Sequence, residues 1–170
     1  VIAKGGTSSI FGEAIMWLKN SGIVNQVYKT TAELPLEMHK DLSSFKLYMS
    51  DVGLFVNKAR YPLYQVDLSQ QPVMIAMGPL TENYVANELR VKGYDLYYWE
   101  SDGKAELDFM IQKETDIMPF EVKTSVHTKA RSLDLYMKTY SPNYAVRISE
   151  KNFGFENNIK SVPLYAVFCM

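Results

Sequence analysis

Two segments in the second half of the chain alternate apolar and polar residues with the two-residue period of a strand. They are Glu106-Leu107-Asp108-Phe109-Met110-Ile111 and, after a polar turn, Pro119-Phe120-Glu121-Val122-Lys123. Successive side chains of an extended chain point to opposite faces, so Glu121 and Lys123 project together while Phe120 and Val122 project the other way. With Asp108 on the neighbouring strand, two carboxylates and a lysine converge at one edge of a small sheet. Those groups suffice to hold a divalent cation against a phosphate and to place an ammonium beside an attacking water. The plainer alternative is an exposed Glu121–Lys123 ion pair, worth well under ~1 kcal/mol.

A third acid lies upstream, in Leu80-Thr81-Glu82-Asn83-Tyr84-Val85-Ala86-Asn87-Glu88-Leu89-Arg90-Val91-Lys92-Gly93-Tyr94. Wound as a helix, Glu82, Val85, Ala86 and Leu89 share one stripe at i, i+3, i+4 and i+7, and Glu88 and Arg90 fall outside it. A carboxylate therefore begins the face that packs on the sheet. Three carboxylates at one place repel one another unless a cation or a protonation shift relieves them.

The spacing of Asp108, Glu121 and Lys123 resembles the D…(D/E)-x-K core of the restriction-endonuclease-like nuclease superfamily. Its members, archaeal Holliday-junction resolvases included, often carry a glutamate on the preceding helix and, eleven residues later, the glycine that ends it; Glu82 and Gly93 match that spacing. The resemblance implies that Asp108 and Glu121 ligate Mg²⁺ or Mn²⁺ with the backbone carbonyl of Val122. It implies further that Lys123 orients or activates the water, that Glu82 binds metal-coordinated water or a second ion, and that DNA is the substrate. Leu107 stands where many members have proline, a tolerated variation.

A closer resemblance covers nearly the whole chain. Trp17-Leu18-Lys19-Asn20-Ser21-Gly22-Ile23-Val24, Phe45-Lys46-Leu47-Tyr48-Met49-Ser50-Asp51-Val52-Gly53-Leu54, Glu82 to Leu89, Tyr97-Tyr98-Trp99, Glu106 to Phe109, Glu121-Val122-Lys123 and Val162-Pro163-Leu164-Tyr165-Ala166 are similar, in order, to the signature of the DUF4143 domain. That domain is typically the C-terminal half of archaeal and bacterial AAA-type ATPases. The resemblance implies an upstream ATPase domain in the parent chain. It also leaves open a second role, a regulatory or partner-binding domain of that ATPase with the same fold and no hydrolysis.

With 170 residues and 47% hydrophobic content, the chain can bury a substantial core in one domain or a small domain with an appendage. Lys and Arg number 18 against 19 Asp and Glu, a balance that excludes the strongly basic surface of a dedicated non-specific nucleic-acid binder. Any DNA contact must come from a local patch, and one candidate holds Lys123, Lys129, Arg131 and Lys138 against Asp134 alone. The alternative for that patch is a solvated loop and helix face. The single Cys169 excludes an internal disulfide, and no Cys/His cluster offers a zinc site, so a cytoplasmic protein is expected. No apolar run approaches the roughly 20 residues of a membrane span, and the Val-Ile-Ala-Lys start lacks the organisation of a signal peptide. A first residue other than Met suggests a piece of a longer chain.

Along the chain, Thr7 to Asn20 reads as a helix, with Gly22 just past its end. Ile23 to Tyr28 and Phe45 to Met49 read as strands bracketing a long loop that contains Pro35. A helix followed by two strands resembles the later part of a winged helix; the mixed charges of the loop favour a packing or docking module over a DNA-binding wing. Asp51 to Lys58 reads as a short helix broken at Tyr61-Pro62, and Ser69-Gln70-Gln71-Pro72 as a linker. The expected division is a winged-helix-like region and linker over 1–78 and a restriction-endonuclease-like core over 79–170. That core reads as helix 80–92, strands 94–99, 105–112 and 117–124, helix 131–139, strand 144–149 and a last strand 162–168. The fold class expected is α/β or α+β, with a central mixed sheet flanked by helices.

Other motifs are weaker. Lys4-Gly5-Gly6-Thr7 has the letters of a phosphate loop but not G-x-x-x-x-G-K-[S/T], so no ATP site is expected in this chain. His39 and His127 lie apart from any nucleophile, and Ser125 and Ser132 have no partner base. Tyr97, Tyr98 and Trp99 offer stacking surface for bases, yet their place in a strand favours burial.

Overall fold

The computed structural model describes residues 8–60, 77–101, 103, 105–124 and 131–170, and the side chains from residue 11 onward. Lys4 to Thr7, Tyr61-Pro62, the linker at Ser69 to Pro72, Ser125, His127 and Lys129 lie outside the described residues.

Helix α1 (Ser8–Asn20) ends where Gly22 takes a positive φ of 72°, a conformation that costs a residue without Cβ nothing. Strand β1 (Val24–Thr30) follows, then a 3₁₀ turn (Leu36–His39), β2 (Lys40–Met49) and helix α2 (Val52–Ala59). Asp51 caps α2 by accepting the Leu54 N–H at 2.8 Å. After the undescribed stretch come α3 (Gly78–Val91), β3 (Tyr97–Ser101), β4 (Ala105–Lys113) and β5 (Asp116–Val122). Helix α4 (Arg131–Tyr140), β6 (Ala145–Ser149), β7 (Gly154–Glu156), β8 (Ile159–Pro163) and a closing 3₁₀ helix (Leu164–Cys169) complete the order.

All eight strands among the described residues join one mixed sheet in the order β2-β1-β3-β4-β5-β6-β8-β7. The α+β class is as expected. Helix α1 and the antiparallel β1–β2 pair give the expected helix followed by two strands, and β1 also pairs in parallel with β3, so the pair is part of the one sheet. The C-terminal expectation is corrected. The expected strand 162–168 stops at Pro163, and a β7–β8 hairpin precedes it around Asn157 and Asn158, both at positive φ. Strand β8 pairs on β6 as far as Ser149, where β6 ends, so no ladder partner on that side remains for Leu164 onward. The chain instead tightens into a 3₁₀ helix that packs Ala166 and Val167 into the core.

Two apolar layers cover the sheet. On one face Val85, Ala86 and Leu89 of α3 pack with Tyr98, Phe109, Ile111, Phe120, Val122, Val146 and Ile148. On the other, Leu133 and Tyr136 of α4 pack with Tyr97, Trp99, Leu107, Met110 and Ala145. The three aromatic residues of β3 are all buried, so they form core and not a platform for bases.

Strand β4 breaks its own alternation. Tyr97 faces Met110, but two residues further along β3, Trp99 faces Leu107, three residues back along β4. One extra residue is therefore accommodated in β4, a bulge, and Leu107 and Met110 reach the same α4-side layer although their numbers differ by an odd count. Asp108 and Phe109 occupy that bulge.

Candidate functional site

The site begins where β4 and β5 part. Their ladder runs from Lys113 opposite Asp116 to Phe109 opposite Phe120, and Asp108 and Glu121 are the next residues beyond it. There the Asp108 carboxylate takes over from the backbone: its Oδ2 accepts the Val122 N–H at 2.7 Å. Strand β5 turns its own backbone toward β6, with the Lys123 N–H donating to the Ile148 carbonyl at 2.8 Å. The bulge thus brings a side-chain acceptor into the plane of the sheet, at a fork between strands.

Phe120 and Val122 point into the α3-side layer, so Glu121 between them points the opposite way, and it is only 2% exposed. One of its oxygens, Oε1, forms an ion pair with Lys123. The other, Oε2, is buried and has no hydrogen-bond partner among the described residues. Arg147 lies opposite Glu121 in the β5–β6 register, and its Nε is likewise buried and without a hydrogen-bond partner among the described residues. Burial raises the Glu121 pKa above the ordinary glutamate value, against the pull of Lys123 and Arg147. For Asp108, burial and then repulsion from Glu82 and Glu121 push the pKa up to about 7, against the Val122 N–H and Lys46.

Glu82 approaches from the α3 face. Its neighbour Asn83, fully buried, clamps α3 to β2, accepting the Met49 N–H at 2.7 Å and donating to the Met49 carbonyl at 2.9 Å. That clamp lays Glu82 beside two side chains of β2. Glu82 Oε1 accepts from the Lys46 ammonium at 3.0 Å and from the Tyr48 hydroxyl. Lys46 also pairs with Glu106. Burial works against the charge on Lys46, but Glu82 and Glu106 outweigh it and hold its pKa above the usual lysine value. Burial and Glu82 together push the Tyr48 phenol up, so it remains a donor.

The four side chains read from the sequence as a site therefore gather at one end of the β4–β5 pair, in two subsets. Glu82 lies on the α3 side with Lys46, Tyr48 and Glu106; Glu121 and Lys123 lie on the other side, beside Arg147; Asp108 sits in the fork between them. Among the described residues, no three His, Cys, Asp or Glu side chains are grouped closely enough to hold a metal ion between them. A Mg²⁺ ion needs fewer, since it keeps several waters and binds through one or two carboxylates plus substrate phosphate. Asp108 and Glu121 fit that smaller demand, and the unpartnered Glu121 oxygen is an acceptor of the required kind. Sequence reading missed Lys46, Tyr48, Asn83, Glu106 and Arg147 as site residues. The signal for Lys46 and Tyr48 was their shared face at i and i+2 on a strand, but nothing in the sequence says which acid that face meets.

Residues 77–167, more than half of the chain, match the model of DUF4143, a domain of unknown function. The chain belongs to the DUF4143 family. The match takes in α3, the β4–β5 fork and the start of the C-terminal 3₁₀ helix, and hence Glu82, Asp108, Glu121 and Lys123. It does not extend over the whole chain: residues 1–62 match a different model, DUF8612, also a domain of unknown function. Lys46 and Tyr48 therefore come to the DUF4143 site from the DUF8612 segment. No curated protein and no solved structure matches the chain significantly. Among the described residues, no helix is long and apolar enough to cross a membrane.

Proposed function

We propose that this DUF4143 protein is a divalent-cation-dependent phosphodiesterase acting on DNA, built on a restriction-endonuclease-like core. The reading rests above all on Glu121, a buried carboxylate with one oxygen on Lys123 and the other without a hydrogen-bond partner among the described residues, placed like Asp108 one residue beyond the end of the β4–β5 ladder. Buried charge in that state is costly unless something of opposite sign meets it. Asp108 and Glu121, with the Val122 carbonyl, would hold Mg²⁺ or Mn²⁺. When bound, such an ion supplies a Lewis acid for the phosphate and for the attacking water.

The remaining chemistry belongs to the chain. Lys123 is tethered to Glu121 yet about a third exposed, so its ammonium can position a water at the mouth of the fork. Asp108 is held by the Val122 N–H, and Glu82, held by Lys46 and Tyr48, adds negative potential from the far side. We place the domain, as part of the same proposal, in the cytoplasm downstream of an AAA-type ATPase.

The test is cleavage of single-stranded, double-stranded and branched DNA with Mn²⁺. Weak cleavage is expected that disappears in Lys123→Ala while cation binding survives, because the variant removes the group that places the water and leaves both carboxylates. Equal trace activity in wild type and Lys123→Ala would mean contamination and sink the proposal.

One observation favours a second reading, a catalytically silent regulatory or partner-binding domain of the ATPase. Glu82 and Glu106 are already answered by Lys46, so part of the acidic cluster is neutralised without any metal. Failure of the protein to bind any divalent cation would favour this reading over the first.

A further inference from the structure

Lys46 stands in an unusual position for a surface-strand lysine. Its strand, β2, is three places from β4 in the sheet order, yet the Tyr48 ring packs 5.4 Å from the Phe109 ring, centroid to centroid. The β2 edge must curl over the α3 face for those rings to meet. The same curl lays the Lys46 ammonium 5.2 Å from the centre of the Tyr98 ring, 3.0 Å from Glu82 Oε1 and in an ion pair with Glu106. Among the described residues, Lys46 is the cation paired with Glu82, and its side chain is about a quarter exposed. Glu82 Oε1 thus already receives an ammonium and a phenol proton.

We propose that Lys46 is a positioning residue that stands in for a divalent ion at Glu82, so that the centre takes a single divalent cation, on the Asp108–Glu121 side. This deepens the phosphodiesterase reading and rests on it for the Asp108–Glu121 half. A divalent ion approaching Glu82 meets the ammonium that bridges it to Glu106, and like charges at that distance oppose entry. Across the fork Glu121 has Lys123 on Oε1 and Arg147 opposite it in the register, but its buried Oε2 has no hydrogen-bond partner among the described residues. The role also gives a use to the N-terminal strand that lies beside a site otherwise carried by residues 77–167.

The experiment is calorimetric titration of the full chain with Mn²⁺, read as the number of ions bound, for wild type, Lys46→Met, Lys46→Arg and the double variant Lys46→Met/Glu82→Gln. Expected are one ion in wild type and Lys46→Arg, two in Lys46→Met, and one again in the double variant. Equal numbers in wild type and Lys46→Met, zero included, would overturn the proposal, as would a second ion in Lys46→Arg, which keeps the charge. If wild type binds none while Lys46→Met binds one that Glu82→Gln removes, the role of Lys46 stands and the Asp108–Glu121 cation site falls. Should Lys46→Met fail to fold, thermal unfolding of the double variant decides. Recovery of a cooperative transition on removing the Glu82 charge supports the role, and persistent failure overturns it.

Discussion

The Asp108 carboxylate accepts the backbone N–H of Val122, so the residue between Glu121 and Lys123 is held by the acid of the neighbouring strand. A side chain here does what a ladder partner does elsewhere in the sheet, and it ties the ionisation of Asp108 to the geometry of the fork.

That tie predicts a pH-dependent stability in the absence of metal. The Asp108 pKa is raised in the folded state to about 7, from an unfolded value of ~3.9. The folded protein therefore binds more protons than the unfolded chain between those values, and stability falls as pH rises through that window. Thermal midpoints in EDTA should drop from pH 5 to pH 8 more steeply in wild type than in Asp108→Asn, whose amide oxygen can still accept from Val122. Parallel profiles would show that Asp108 is not the strained acid.

Added Mg²⁺ or Mn²⁺ should reverse the loss. A ligand that binds only the folded state stabilises it by ~2.7 kcal/mol at a hundred times its Kd. The rise in midpoint should be largest at pH 8, where the carboxylates are ionised, and mostly absent in Asp108→Asn. An equal rise in both proteins would place the ion elsewhere.

Asn83 offers a structural check independent of any metal. Asn83→Ala deprives the Met49 N–H and carbonyl of their partners, and leaving such groups unsatisfied costs on the order of 1–3 kcal/mol. Urea denaturation should show that loss without a change in slope. Glu82, one residue away, should lose its register with Lys46, so the divalent response at Glu82 in a Lys46→Met background should weaken too.

The parts of this arrangement that the sequence disclosed are those written in local periodicity. Alternation around Phe120 and Val122 was enough to pair Glu121 with Lys123, and the helical stripe of Val85, Ala86 and Leu89 was enough to turn α3 onto the sheet. The bulge at Asp108 was not legible, because strict alternation and a one-residue insertion read alike until β3 supplies the register. Lys46 was hidden for another reason: it meets Glu82 across 36 residues of chain and Glu106 across 60, and only the curl of β2 brings them together. At the C-terminus the apolar alternation of Val162, Leu164 and Ala166 mimics a strand, but extension also needs a partner, and β6 ends first.

Glu121 gives the sharpest contrast between stability and function. Its side chain is buried, its charge is disfavoured there, and one oxygen lacks a hydrogen-bond partner among the described residues, so an uncharged isostere should fit the folded state better. Against this, Glu121→Gln weakens the contact with Lys123 and removes the charge facing Arg147, but Lys123 is exposed enough for water to replace the lost interaction. Glu121→Gln is therefore expected to raise the thermal midpoint of the metal-free protein at pH 8 and to abolish the Mn²⁺-induced rise. That combination is the signature of a residue kept for a ligand at the expense of the fold. A lower midpoint in Glu121→Gln would show that the Lys123 ion pair outweighs burial, and Glu121 would then count as a structural acid.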